Sequence, residues 1–204
     1  MKLFWSSRSP FVRKVMVTAH EVGLAARIRT QRVVVGASNP NAEVMAVNPL
    51  NKIPTLVLDD GSALYDSRVI CEYLDSLHDG PKLFPANAGA RFIALRRQAL
   101  GDGLKEAILL RLGEQSRPPA AQSEKHLSAH RLKIAATLDR LESEADGLAD
   151  QVGIGHIAIG CALAHLDFRF AADDWRAGRA RLAQWYGGFA CRPSMQATEY
   201  VDAY

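Results

Sequence analysis

No run of five or six like charges occurs in the 204 residues, and the formal net charge is only +3. Basic and acidic side chains are scattered along the whole chain, which excludes the electrostatic footprint of a nucleic-acid binder and leaves a small molecule or a protein as the expected partner. Apolar runs are short as well. None approaches the roughly 18 residues of a membrane helix. The opening MKLFW has one lysine and then a strand-like pattern, not a secretory leader, so a cytoplasmic protein is expected. Cysteine is scarce: Cys71, Cys161 and Cys191 are odd in number and far apart. Each sits in an apolar helical pattern, which suits reduced thiols packed as small core residues, and no metal-ligand spacing is present. Internal repeats and low-complexity tracts are lacking too. What the chain does have is hydrophobic residues at 48%, enough to bury a real core.

The chain reads as two unlike halves. In residues 1–78, KLFW is a short apolar run. SPFVRKVMVTAHEVG then places Val12, Val15, Met16, Ala19 and Val22 at helical spacing before Gly23 stops it. RIRTQRVVV predicts a second strand, and NPNAEVMAVNP a short helix between prolines. TLVL and ALY flank DDGS, whose Asp-Gly pair signals a hairpin. DSRVICEYLDSLH then puts Val69, Ile70, Tyr73, Leu74 and Leu77 on one helical face. The order βαβαββα is that of a thioredoxin-like domain. DGPKLFPANAG, residues 79–89, predicts a linker.

Residues 90–204 read as all-helical. One helix is expected from Ala90 to Gln115 with Phe92, Leu95, Leu104, Ile108, Leu109 and Leu112 as its apolar residues. A second runs from Ser123 to Ala145 around Leu127, Ile134, Leu138 and Leu141. GIGHIAIGCALAHLDFRF is apolar almost all round, so it is expected as the buried central helix, followed by shorter, more exposed helices.

Elementary rules assign several polar residues to structure alone. Pro10 suits the first helical position, which makes Ser9 an N-cap, and Asp66 with Ser67 opens the next helix in the same way. Pro54 stands directly before a strand although it has no ladder donor.

The two-part architecture, with SSRSPFVRK, NPLNKIPTLVLDDGSALYDS and CALAHLDFR in order, resembles the cytosolic glutathione S-transferases, of a serine type with zeta- and omega-like features. The resemblance implies glutathione as co-substrate and no metal. It implies a cis Pro54 that turns the backbone N–H and C=O of Ile53 outward to pair with the tripeptide, an extended peptide added beside a strand. Lys52 would meet a carboxylate of glutathione, while Asp66 and Ser67 would hold its γ-glutamyl end. Ser9 is the implied activating hydroxyl, with Ser6 and Ser7 as rivals. A cysteine there would favour mixed disulfides, so serine favours conjugation of the thiol to a small hydrophobic electrophile.

Two departures from the family pattern stand out. Asn51 replaces a common glycine but tolerates a left-handed backbone, and Gly153 with His156 replaces a capping box. Asp102, Leu104 and Lys105, beside the helix-weakening Gly101 and Gly103, are second-substrate candidates by position only. His156 and His165 are read as packed residues. The resemblance also implies a homodimer. It leaves open a glutathione-dependent isomerase or dehalogenase, and a non-catalytic interaction module, on the same scaffold.

Overall fold

The structure, a computed structural model, describes residues 1–36, 38–149 and 151–202. Its elements follow in the order β1 (Lys2–Trp5), α1 (Pro10–Glu21), β2 (Arg29–Arg32), α2 (Ala42–Met45), β3 (Thr55–Val57), β4 (Ala63–Leu64), α3 (Ser67–Ser76), α4 (Ala88–Gln115), α5 (Glu124–Ser143), α6 (Ile154–Phe170), α7 (Ala180–Ala190) and α8 (Pro193–Gln196). The chain forms two compact units: Met1–Pro85 together with Pro193–Tyr204, and Ala86–Arg192. The division between the units falls inside residues 79–89, the stretch read as a linker. Residues from Pro193 on, read with the helical half, belong to the first unit.

The first unit is built on a four-stranded sheet in the order β2-β1-β3-β4, with β1 and β2 parallel and the other pairs antiparallel. Side chains alternate across such a sheet. Phe4 packs on one face with Val33 and Val44 of α2, while the paired Leu3 and Leu56 are fully buried on the other. The Asp-Gly hairpin forms as its sequence predicts: Gly61 takes φ +86°, and Asp60 accepts from the Ser62 N–H at 2.9 Å. Gly23, at φ +71°, ends α1 by allowing the reversal that brings the Leu24 N–H to the Ala19 carbonyl. On α3 the buried residues are Ser67, Ile70, Cys71, Leu74 and Asp75; Val69, expected inside, is exposed.

In the second unit α6 is buried along thirteen consecutive residues from Ile154 to Leu166, as its all-round apolarity requires. Helix α4 crosses it where Gly101 meets main chain: a β-carbon there would lie 2.6 Å from the Ala158 carbonyl carbon. That close approach explains the glycine inside a helix, whereas Gly103 faces open space. All four predicted core residues of α5 are buried. On α4 only Leu104 and Ile108 of the expected set reach the interior, and Phe92 is 70% exposed. Asp102 and Lys105 are buried and paired at 2.9 Å. The missing capping box of α6 is half replaced, because His156 Nδ1 accepts from the Gly153 N–H at 2.9 Å. Cys71 and Cys161 are buried; Cys191, expected in the core, is exposed at the end of α7. None of the described helices is long and apolar enough to cross a membrane.

Candidate functional site

Three chain segments leave the sheet of the first unit at the same end, and the strand register dictates which. Phe4 pairs with Thr55, so continuing β1 beyond Trp5 runs it alongside Pro54 and Ile53. Leu56 pairs with Leu64, so continuing β4 leads Tyr65, Asp66 and Ser67 past the same residues from the other side. With strands about 4.8 Å apart, the Ser6–Ser9 turn, the Lys52–Pro54 segment and the start of α3 form neighbours along one sheet edge. A shallow cavity of about 490 Å³ lies at the opposite end, lined by residues such as Lys2, Arg27 and Asp59. It contains none of the site residues read from the sequence.

In the turn after β1, the Ser9 N–H donates to the Ser6 carbonyl at 3.2 Å, and Ser6 Oγ accepts from the Arg8 N–H at 3.3 Å. Ser9 is the N-cap of α1, with φ −85° and ψ 119°, and its Oγ accepts from the Val12 N–H at 3.3 Å. Pro10 fills the first helical position, as expected. Ser7 differs from the other two: its hydroxyl donates to the Val201 carbonyl at 2.8 Å. The two rivals and the first choice thus sit in one turn. Only Ser7 has its proton engaged among the described residues.

The Ile53–Pro54 peptide is cis, and the Ile53 N–H and C=O have no protein partner among the described residues. A half-buried main-chain donor and acceptor left without protein partners are groups for water or a ligand to satisfy. Lys52 is exposed and its ammonium meets no acid among the described residues. At the start of α3, Asp66 caps the helix by accepting from the Arg68 N–H at 2.9 Å. Ser67 is 2% exposed, and none of the hydrogen bonds among the described residues engages its hydroxyl. One end of the sheet therefore offers a lone cation, an unpaired peptide unit, and a helix N-terminus with an unengaged hydroxyl. These are complements for an extended peptide carrying carboxylates.

Sequence reasoning missed what holds this edge in shape. Asn48, 1% exposed, donates through Nδ2 to Thr55 Oγ1 at 2.8 Å and to the Lys52 carbonyl at 3.2 Å, and its Oδ1 accepts from the Leu50 N–H at 3.1 Å. Thr55 Oγ1 closes the network by donating to the Lys52 carbonyl at 2.8 Å. Asn51 takes φ +52°, the left-handed region expected of it. Its amide also does more than tolerate that backbone: it donates to the Gly36 and Asn39 carbonyls and accepts from the Asn41 N–H. The available signal was a cluster of asparagine and threonine around an apolar Ile-Pro pair, where amide side chains substitute for absent ladder bonds.

Comparison with known proteins identifies the family. Family models for the N-terminal and C-terminal domains of glutathione S-transferase match residues 8–77 and 124–188. An uncharacterized GST-like protein of Escherichia coli, YibF, is 35% identical over 202 residues, 98% of each chain. A stringent starvation protein A homolog of Pasteurella multocida is 30% identical over 73% of this chain and 61% of its own length. Among solved structures, a glutathione transferase family member of Pseudomonas fluorescens with bound glutathione superposes with a TM-score of 0.96 at 42% identity, covering 98% of both chains. A glutathione S-transferase of Methylobacillus flagellatus, also with glutathione bound, gives 0.88 at 34% identity over 98% of this chain and 99% of its own. With both halves matched by domain models and nearly the whole length shared with YibF and with the Pseudomonas and Methylobacillus structures, the chain belongs to the glutathione S-transferase family.

Proposed function

We propose that the protein is a glutathione transferase that holds glutathione along Ile53 and stabilises its thiolate at Ser9, the thiol proton leaving to solvent, so that the sulfur bonds to an electrophilic carbon of a small hydrophobic molecule as a leaving group departs or an activated double bond takes up a proton. The observation that carries this reading is the conjunction of two features at one sheet edge. Ile53 offers an unpaired N–H and C=O, and the Ser9 hydroxyl caps α1 with its own proton unengaged among the described residues. Lys52 is positioned in sequence to meet a carboxylate of the tripeptide, and Ser67 and Asp66 to meet its other end. Pro54 keeps the main chain free of a ladder partner. A Pseudomonas fluorescens neighbour at 41% identity, solved with S-(propanoic acid)-glutathione, supports a site that accommodates glutathione substituted at sulfur.

The magnitudes are sufficient. A free thiol has a pKa of about 8.5, and lowering it by about two units takes roughly 2.7 kcal/mol of preference for the thiolate. A hydroxyl donating to a charged acceptor contributes about 1.5–3 kcal/mol, and a helix N-terminus adds roughly 0.3–1 kcal/mol. Ser9 therefore serves as a hydrogen-bond donor and stays protonated. No general base is required. Ser6 and Ser7 remain in the turn but are secondary, Ser7 because its proton is directed at Val201.

Exposed Phe92 and Ile93 on α4 suit burial against a second copy, in keeping with a cytoplasmic homodimer. Sedimentation at micromolar concentration checks this, and a purely monomeric species would count against it.

The test of the central reading is to titrate the thiolate absorbance of bound glutathione in the native protein and in Ser9→Ala. The substitution should raise the bound thiol pKa by about one to two units. Equal values remove Ser9 from the mechanism. If calorimetry detects no glutathione binding by the folded protein, a non-catalytic interaction role replaces the enzymatic one.

A further inference from the structure

The residues from Pro193 to Asp202 run back along α1 in the opposite direction and end on the reactive turn. At the far end of α1, Glu21 accepts from the Ser194 hydroxyl. In the middle, Arg13 is only 8% exposed although it carries a full charge. Its Nη2 donates to the Met195 carbonyl at 2.9 Å, its Nε to Thr198 Oγ1 at 3.4 Å, and its guanidinium lies 4.4 Å from the Tyr200 ring centroid. At the start of α1, the Val201 carbonyl accepts from Ser7 Oγ at 2.8 Å, and Asp202 pairs with Arg8 Nε at 2.7 Å. Ser7 and Arg8 immediately precede Ser9.

We propose that this segment is a working part of the reactive turn and that Arg13 is its positioning residue. The inference rests on the reading of Ser9 as the activating hydroxyl. A buried guanidinium with planar, forked donors grips one stretch of backbone and one ring face in a way a lysine cannot reproduce. By holding residues 195–200, Arg13 brings Val201 and Asp202 onto Ser7 and Arg8. Two consequences follow for the turn. The Ser7 hydroxyl is directed at a carbonyl and so does not compete with Ser9 for the sulfur. Arg8, whose N–H donates to Ser6 Oγ, is held through its guanidinium by Asp202, and this restraint fixes the direction of the Ser9 Oγ one residue later. Arg13 touches no reacting atom; its effect passes through the segment.

Two variants of the full protein test this. Arg13→Ala removes the grip, and a chain ended after Glu199 removes residues 200–204, Tyr200, Val201 and Asp202 among them, while leaving Arg13 its bonds to Met195 and Thr198. The shortened chain keeps the test decisive if Arg13→Ala fails to fold. Hydrogen exchange, which needs no ligand, should show the Arg8 and Ser9 amides exchanging about tenfold faster or more, with α3 amides unchanged. With glutathione, KM should stay within about twofold because Ile53 and Ser67 are untouched, while the bound thiol pKa rises by about one unit. The kcat measured near pH 6.5 then falls about fivefold and recovers as pH rises above the new thiol pKa. Tyr200→Phe, which keeps the ring on the guanidinium, should retain the native pH profile.

Unchanged exchange at Arg8 and Ser9 in the shortened chain, or a loss of kcat equal at every pH, overturns the inference and leaves the Ser9 reading standing. If instead Ser9→Ala does not move the thiol pKa, the Ser9 reading fails, and exchange alone decides whether the segment holds the turn.

Discussion

Replacing Asn48 by alanine should loosen the edge that displays Ile53, and the cost can be worked from its contacts. The side chain makes three hydrogen bonds, to the Lys52 carbonyl, Thr55 Oγ1 and the Leu50 N–H, from a position only 1% exposed. At about 0.5–1.5 kcal/mol net for each, Asn48→Ala should cost roughly 3 kcal/mol. For a chain of this length that corresponds to a melting temperature lower by about 6–12 °C. Thr55→Val keeps the volume but removes the bond to Lys52 and the acceptor for Asn48, so about 2 kcal/mol is expected. The two changes share one bond of 2.8 Å. Adding the single costs counts it twice, so the double variant should lose about 1 kcal/mol less than the sum. Urea unfolding of the native protein, both single variants and the double variant measures this coupling. Additivity to within about 0.3 kcal/mol, or an Asn48→Ala cost under about 0.5 kcal/mol, would show that the network is not a unit.

The two glycines of α4 should respond with opposite signs. In Gly101→Ala the new β-carbon meets Ala158 and Ile159 main chain at 2.6–2.8 Å, which cannot swing aside. The helix-propensity gain of about 1 kcal/mol is then outweighed by overpacking of roughly 1–3 kcal/mol. Gly103→Ala meets nothing within 4 Å and should stabilise by about 0.5–1 kcal/mol, readable in the same urea series. Acid stability should depend on Glu144, whose carboxyl is held below the usual range first by the forked Arg96 and then by Arg140. Because the folded value is lowered, its contribution is complete above the ordinary value of 4.5 and is lost as pH falls through the folded one. Glu144→Gln should therefore destabilise at neutral pH, and its gap from the native protein should close as pH falls below the folded value; an equal gap at neutral and acid pH would refute the pairing.

The legible part of this protein is the part written in period and punctuation. The Asp-Gly hairpin, the Gly23 stop, the four α5 core residues and the all-apolar α6 each follow from a local rule that tertiary structure had no reason to override. Ser9 at the N-cap of α1 and Asp66 at the N-cap of α3 are readable for the same reason, since caps depend on neighbours two or three residues away. What could not be read depends on partners remote in sequence. Phe92 fits a helical apolar pattern yet is exposed, because a stripe says which residues share a face and not whether the face is covered. Cys191 was misplaced the same way. The Asn48 network and the Arg13 grip are polar contacts whose meaning appears only once the strands are in register or the chain has returned.

The return of residues 193–202 to the first unit also bears on how the protein is made. Arg13 contacts Met195 across 182 positions and Ser7 contacts Val201 across 194, so a ribosome releases the strands, α1 and the whole helical unit before these partners of α1 and its turn exist. Until then the nascent chain carries a charged guanidinium with its acceptors still untranslated. A fragment comprising the sheet alone, however complete its fold by strand order, would lack the last layer that its first helix is shaped to receive.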